Sequence, residues 1–328
     1  MIMRRLDILI PQYNETDAEV KNMLDSIAIQ QNVNLKEDVG VIIVNDGSDT
    51  FLSDELINSY EFTVEYYKNE HKGVSATRNA CLDHSKAEYV MFCDADDMFF
   101  NACGLWIIFN EINNGGFDSL TSIFIEESRI PDTKEPTYIN REMDSTFVHG
   151  KVHRRKYLID NKIRWNENLT IHEDSFFNIQ CQRLSTRVKY CQSPFYLWKW
   201  RDNSVCRHDP KYILKTYINM LDSSDACVGE FVKRHRISIA KQLAVGMIFD
   251  CYFNMNKDEW LNQENQEYRI KTERRFRDYY HKYKEYFETI DKNEKNQIIM
   301  GIKNRMFQEG LMMESITFDD WIQEIEKI

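Results

Sequence analysis

The sequence predicts an α/β protein, a mixed and mostly parallel sheet flanked by helices, followed by an all-helical C-terminal module. Three observations carry this. Short apolar or β-branched runs alternate with helical periods through the first half of the 328 residues. Three polar phrases each follow such a run, as loops at strand ends do: Ile10-Pro11-Gln12-Tyr13-Asn14-Glu15, Val44-Asn45-Asp46-Gly47-Ser48 and Asp94-Ala95-Asp96-Asp97. Beyond Asp209 glycine and proline become sparse and long helical patterns take over. The expected domains are therefore 1–209, the α/β domain, and 210–328, a helical domain.

Each element has its own signal. Leu6 to Ile10 is a first strand, and Asp17 to Gln31 repeats Val20, Leu24, Ile27 and Ala28 at helical spacing. Val39 to Val44 is a β-branched strand, Phe62 to Tyr67 a third, and Tyr89 to Cys93 a fourth. Val74 to Ser85 is a helix entered through Gly73. This alternation predicts a parallel, doubly wound first half. Gly104 to Ile112 reads as helix, Ser119 to Glu126 as strand, and the polar stretch 130–143 with Pro131 and Pro136 as an excursion or hairpin. Val148 to Asn161 is expected to hold a helix headed by Lys151, His153, Arg154, Arg155 and Lys156. An apolar-aromatic region runs from Arg187 to Trp200, and the C-terminal helices are expected over 212–232, 238–255, 268–287, 294–308 and 318–328.

Composition excludes some classes. Hydrophobic residues make up 42% and aromatics 13%, so the chain folds rather than stays disordered. A net charge of −11 argues against a general nucleic-acid coat protein, whose binding needs Lys and Arg against phosphate. It leaves a local basic surface open, and the basic-aromatic phrase from Lys271 to Lys284 is the candidate. The N-terminal apolar run is too short for a secretory segment, and Lys241, Gln242 and Asp250 break the best membrane candidate at 237–253. The eight cysteines show no C-x-x-C pair or zinc spacing, so they are expected as reduced core thiols of a cytoplasmic protein without an integral membrane segment.

The three phrases sit where ligands bind in an open α/β sheet, beyond the carboxyl ends of the strands. Several carboxylates at one strand end repel one another, and a hard divalent cation relieves that repulsion. Cation, crevice and an early polar loop together point to a nucleotide-diphosphate site. Pro11 fixes the backbone as the first strand ends, and Tyr13 can pack on a flat base. Glu15 can reach a ribose or cap the helix after it, while Asp46 is suited both to its Asp-Gly-Ser turn and to accepting an N–H. Arg78, early in a helix, can bridge an acidic-loop carboxylate or touch a phosphate.

Together these residues resemble the family-2 glycosyltransferases, with their GT-A-type nucleotide-sugar-binding fold, over about residues 5 to 205. Besides the three phrases, Gly73-Val74-Ser75-Ala76-Thr77-Arg78-Asn79-Ala80 and Asn168-Leu169-Thr170-Ile171-His172-Glu173-Asp174-Ser175-Phe176-Phe177 fall in register. The resemblance implies a metal-dependent, inverting transfer of a hexose from a UDP-sugar to a hydroxyl acceptor. It implies Asp46 on uracil, Asp94 on the ribose or metal-bound water, with Ala95 beside it, and Asp96 as ligand of Mn2+ or Mg2+. Asp174 is then the base and Glu173 orients acceptor or base. His149 and Gly150 resemble the segment joining donor and acceptor halves, with His149 on a donor phosphate or in the metal shell. Trp200, Arg201 and Ser204 resemble a loop closing over the diphosphate, with Arg201 neutralising leaving-group charge and Trp198 kept for the core.

The acceptor is expected to be a surface glycan or teichoic-acid-type polymer, with a polyanionic acceptor open. Alternatives are a transferase acting on hydroxylated bases of viral DNA, which the net charge disfavours, and a non-catalytic nucleotide-sugar-binding protein, which needs neither Asp96 nor Asp174. A nucleotidyltransferase would carry a glycine-rich basic loop near its first strand, and Gln12-Tyr13-Asn14-Glu15 is no such loop. A homo-oligomer built through the helical module is also open.

Overall fold

The structure is a computed structural model and describes residues 4–142, 144, 146–202, 212–262, 264–308 and 316–328. The first part of the chain runs β1 (Leu6–Gln12), α1 (Asp17–Ala28), α2 (Leu35–Asp38), β2 (Val39–Asp46), α3 (Asp54–Ile57), β3 (Thr63–Asn69), α4 (Val74–His84) and β4 (Tyr89–Phe92). It continues through β5 (Met98–Phe99), α5 (Gly104–Asn113), β6 (Ser119–Arg129), β7 (Pro136–Arg141), β8 (Lys151–Arg154), α6 (Arg155–Asp160), α7 (Glu173–Arg183) and β9 (Val188–Trp198). The strands form one sheet in the order β3-β2-β1-β4-β8-β6-β9-β5, with β7 paired on β6. β1, β2, β3 and β4 are parallel to their neighbours among themselves, β8 is antiparallel to both β4 and β6, and β9 returns parallel to β6. The sheet is mixed, as expected.

Strand alternation decides which helix covers which face. Ile8 and Ile10 of β1, with Val41 and Ile43 of β2, pack against Val20, Met23, Leu24 and Ile27 of α1. Leu9, Ile42 and Val44 point the other way, toward Cys81 and Leu82 of α4 and Phe177 and Cys181 of α7. Each such side chain, fully buried, contributes roughly 1.5–3 kcal/mol. The chain leaves β1 to build β2 and β3 on one side, then crosses to β4 on the other. β1 and β4 therefore flank a topological switch point, and the crevice opens beyond Gln12 and Phe92.

One element differs from expectation. Only Arg155–Asp160 of the 148–161 stretch is helical, and Lys151–Arg154 is strand. Pairing with β4 and β6 on both edges outweighs the local preference. Lys151 and His153, two apart, share one buried face, and burial pushes the His153 imidazole down to about 3, so it is neutral. Within the 130–143 stretch, Pro136–Arg141 forms the arm of a hairpin, with Ser128 opposite Thr137 and Glu126 opposite Ile139. Six of the described cysteines are buried, and no disulfide joins any of the described ones; Cys206 lies outside the described residues.

Contacts divide the chain into residues 1–204 and 205–328. The second unit holds α8 (Tyr212–Lys233), α9 (Ile237–Asn254), the short α10 (Asp258–Leu261), α11 (Gln266–Glu288), α12 (Lys292–Gln308) and α13 (Phe318–Ile325). α11 buries Phe276, Tyr279, Tyr280, Tyr283 and Phe287, a helical stripe that meets Phe318 and Trp321 of α13. Its basic residues are largely engaged inside the unit. Arg275 pairs with Asp222 and Asp225, Lys282 with Asp225, and His281 with Glu326. The phrase that suggested a polyanion surface is thus mainly a core stripe beside internal ion pairs. No helix among the described residues is long and apolar enough to cross a membrane.

Candidate active site

Two loops line one side of the crevice and are stitched to each other. The Asn45 amide donates to Gln12 Oε1 and to the Tyr66 hydroxyl, and Asn45 Oδ1 accepts from Ser48 N at 2.9 Å. Asn14 donates its N–H to Ser48 Oγ at 2.8 Å from a left-handed backbone (φ 67°). Glu15 turns back to accept from Tyr13 N at 2.7 Å, and burial pushes its carboxyl up to about 6. It does not cap α1; Glu19 does, accepting from Thr16 N at 2.8 Å. Pro11 is half-buried at the strand end, and the Tyr13 ring, half exposed, stacks on His71 at 4.5 Å.

Asp46 anchors the loop that precedes α4. Its two oxygens accept from Lys72 N at 2.9 Å and Gly73 N at 3.0 Å, and His71 Nδ1 lies 3.0 Å away. A carboxylate has about four lone-pair sites, so this duty leaves capacity for a further donor. Gly47 turns the chain with φ 71°, and a Cβ there would meet His71 N at 2.6 Å.

Arg78, on the second turn of α4 and only 4% exposed, is the hub of the site. One terminal nitrogen donates to Asp174 Oδ1 at 2.7 Å and Glu173 Oε1 at 3.1 Å, the other to Asp94 Oδ1 at 3.0 Å. The guanidinium also lies 4.5 Å from the Trp165 ring centre. Burial works against its charge, but Asp174, Asp94 and Glu173 outweigh it and hold Arg78 firmly protonated. Asp94 is affected in turn: burial alone would raise it, yet Arg78 and then His149 bring it below its ordinary value.

The acidic loop divides its work. Asp97 is buried and accepts from the Tyr196 hydroxyl at 2.6 Å and Lys199 N at 2.9 Å. Asp96 instead faces Arg201, at 3.0 Å, which also lies 3.6 Å from Glu15 and 3.9 Å from Glu19. Ala95, next to Asp96 in the chain, is buried. Donor atoms of Asp94, Asp97 and His149 all lie within 4.8 Å of one another. Two carboxylates and one imidazole form a donor set for a divalent cation. Burial, then Asp96 and Asp94, pushes the Asp97 carboxyl well up, and a divalent cation would relieve that crowding. These residues fit a metal ion.

A second group of carboxylates begins at α7. His172 takes a left-handed conformation (φ 62°), which starts the helix sharply and puts Glu173 and Asp174 in its first turn. Asp174 Oδ2 accepts from Val148 N at 3.0 Å. Burial raises Asp174, and burial with Asp174 beside it pushes Glu173 up to about 7. The turn that offers Val148 is held from below: buried Lys151 donates to Phe147 O, and Gly150 takes φ 64° where a Cβ would meet Ser122 Oγ at 2.6 Å. His149 is sandwiched between the rings of Phe147 and Tyr196, and Trp198 completes this cluster.

The structure thus brings Asp94, Arg78, Glu173 and Asp174 into one network and Tyr13, Asp46 and the His71 loop into another. Arg201 joins Asp96 and Glu15 at the mouth, and Trp200 donates its indole N–H to Asp202 at 2.9 Å. Ser204 lies outside the described residues. Sequence reasoning did not find Tyr196, Lys199, Trp165 or the Val148 N–H, and it did not bring Asp97 to His149. No periodicity marks these partners, since they meet through tertiary contacts between segments far apart in the sequence.

The sequence model described as Glycosyl transferase family 2 matches residues 7–176. The chain is 25% identical to glycosyltransferase GlyA of Streptococcus pneumoniae over 228 residues, 62% of this chain and 32% of that one. It is 26% identical over 203 residues to a poly(ribitol-phosphate) beta-glucosyltransferase of Bacillus spizizenii, covering 57% and 31%. It therefore spans about a third of the length of these relatives. In fold it is similar to S. aureus TarS 1–349 solved with UDP-GlcNAc, with TM-score 0.60, 18% identity, and coverage of 84% of this chain and 81% of that one.

Proposed function

The chain belongs to glycosyl transferase family 2, and from that premise we propose that it moves a hexose from a UDP-sugar to a hydroxyl of an acceptor polymer, inverting the anomeric centre, with Asp174 as base. The observation that carries this reading is the shared grip of Arg78 on Asp94 and Asp174. It sets a donor-side carboxylate and an acceptor-side carboxylate on two nitrogens of one buried guanidinium. The TarS structure with UDP-GlcNAc supports the choice of donor, and the poly(ribitol-phosphate) relative supports a teichoic-acid-type or other surface glycan acceptor.

On the donor side, Tyr13 offers an exposed ring to the base, and Asp46 keeps lone pairs for its N–H. Asp94, Asp97 and His149 would hold a divalent cation. Bound there, it would neutralise charge on the departing diphosphate. Arg201, already placed by Asp96 and Glu15, adds a second positive charge at the mouth.

On the acceptor side, Asp174 keeps unshared lone pairs after its bonds from Arg78 and Val148. It accepts the hydroxyl proton as the acceptor oxygen bonds to the anomeric carbon and the carbon–phosphate-oxygen bond breaks. Glu173, titrating about 7, can donate or accept and so orients the hydroxyl. Buried thiols, with no disulfide among the described cysteines, suit a cytoplasmic setting, which is part of this proposal. A DNA acceptor is disfavoured, since much of the basic stretch on α11 is engaged in internal ion pairs.

Calorimetry of UDP with and without Mn2+, followed by hydrolysis of a UDP-sugar panel, tests the reading. Mn2+-dependent UDP binding with slow turnover of one sugar is the expected result. Failure to bind UDP with any divalent metal would remove it.

A further inference from the structure

At the end of the sheet opposite the crevice lies a polar concavity of about 500 Å3, within the size range of small-ligand pockets. Arg5, Asn32, Asn34, Asp38, Trp106 and Asn110 line it, with Asn113 at its rim. α5 brings Trp106, Asn110 and Asn113 to one stripe at i, i+4 and i+7, while Leu105, Ile108 and Phe109 of the same helix face the core. The loop after α1 closes the other side, and Asn32 is held there in a left-handed conformation (φ 59°).

The chemistry of this lining is specific. Trp106 leaves 45% of its surface exposed, on a helix whose remaining large apolar side chains are mostly covered. A lone exposed indole needs no explanation. This one is ringed by amides and a carboxylate, and among the described residues the side chains of Asn32, Asn110 and Asp38 bond to no protein group. Arg5 is committed: its guanidinium lies 4.3 Å from the Phe109 ring centre and donates to Asn113 Oδ1 at 2.7 Å. One cation and one carboxylate cancel, so the concavity does not select an anion. Amides supply donors and acceptors in adjacent pairs, as vicinal hydroxyls require, and a flat indole receives the C–H face of a pyranose.

We propose that this concavity binds a neutral saccharide unit of the acceptor polymer, at a distance from the transfer site. The proposal rests on the reading of the acceptor as a glycan. β1 starts beside Arg5 and ends at the crevice, and its seven residues span ~20 Å at about 3.3 Å each. The occupant is therefore not the reacting hydroxyl but a segment farther along the same chain. Tethering there raises the local concentration of acceptor at the crevice without a new contact to the reacting sugar.

The test is titration of the whole protein with maltohexaose, cellohexaose, chitohexaose and a hyaluronan hexasaccharide, followed by NMR, with UDP and Mn2+ titrated separately. At least one neutral hexasaccharide is expected to bind. Trp106→Ala should weaken it about tenfold or more, Trp106→Phe should restore most of it, and UDP binding should not change. Asn110→Ala, on an exposed stripe, provides a second variant should Trp106→Ala fold poorly, and it too should weaken the sugar and not UDP. No response to any neutral sugar at ~10 mM, equal binding by Trp106→Ala and Asn110→Ala, or preference for the anionic sugar would each overturn the proposal. Loss of UDP binding with sugar binding intact would instead remove the donor reading and leave this site standing.

Discussion

Arg78 holds Asp174 at 2.7 Å through one guanidinium nitrogen and Asp94 at 3.0 Å through the other. The loop after β4 and the start of α7 are therefore fixed relative to each other by one side chain from α4. Removing that charge leaves three crowded carboxylates around a buried gap. Arg78→Met should lower unfolding free energy by about 3–5 kcal/mol, measured by urea denaturation. Arg78→Lys keeps the charge but not the fork, so it should lose activity well before it loses stability.

Asp174→Asn keeps the shape of the proposed base and removes its ability to take a proton. Transfer should fall by about 10²–10⁴-fold while UDP affinity stays near wild type. Glu173→Gln keeps a hydrogen-bonding group at an orienting position, so its loss should be smaller. Equal turnover in Asp174→Asn and wild type would mean that another group takes the proton.

The pH profile has a defined sign. A base works only when ionised, so activity rises as pH rises through its pKa. Burial lifts Asp174 above its ordinary value, and burial with its neighbour lifts Glu173 to about 7. The two titrate as a pair. The acid limb of kcat/KM should therefore lie above the ordinary carboxylate value of ~4 and extend toward neutrality. A limb centred at the ordinary value would rule out a base in this buried pair.

Two glycines of the donor side make a controlled comparison. Both have positive φ, 71° at Gly47 and 92° at Gly73, so alanine strains the backbone at either by about 1 kcal/mol or more. At Gly47 a Cβ also meets His71 N at 2.6 Å, whereas at Gly73 nothing lies within 4 Å. Gly47→Ala must push the loop whose Lys72 and Gly73 N–H groups bind Asp46. UDP affinity measured by calorimetry should fall further in Gly47→Ala than in Gly73→Ala.

The parts legible in the sequence were those with local chemistry. Pro11 and the Asn-Asp-Gly turn marked strand ends because turn residues follow from backbone geometry alone. Glu173 and Asp174 stood out because their phrase keeps register with the others. β8 was misread because Lys151 and His153 look like surface residues, and only pairing with β4 and β6 buries them. Asp97 meeting His149 was hidden for the same reason, since that approach depends on which distant strands lie side by side.

The same geometry separates two neighbouring carboxylates of the acidic loop, of which Asp96 is the expected metal ligand. Asp96 is held by Arg201 at 3.0 Å, whereas Asp97 lies buried with Asp94 and His149 in a set whose donor atoms fall within 4.8 Å. Asp97→Asn and His149→Ala should therefore raise the Mn2+ concentration needed for UDP binding by about tenfold or more, a loss typical of a missing metal ligand or its support. Asp96→Asn removes the partner of Arg201, so its main effect should be on UDP affinity at saturating Mn2+, not on the metal requirement. Titrating Mn2+ against each variant at fixed UDP separates the two. If Asp96→Asn alone changes the metal requirement, Arg201 gives way on donor binding and Asp96 is the ligand.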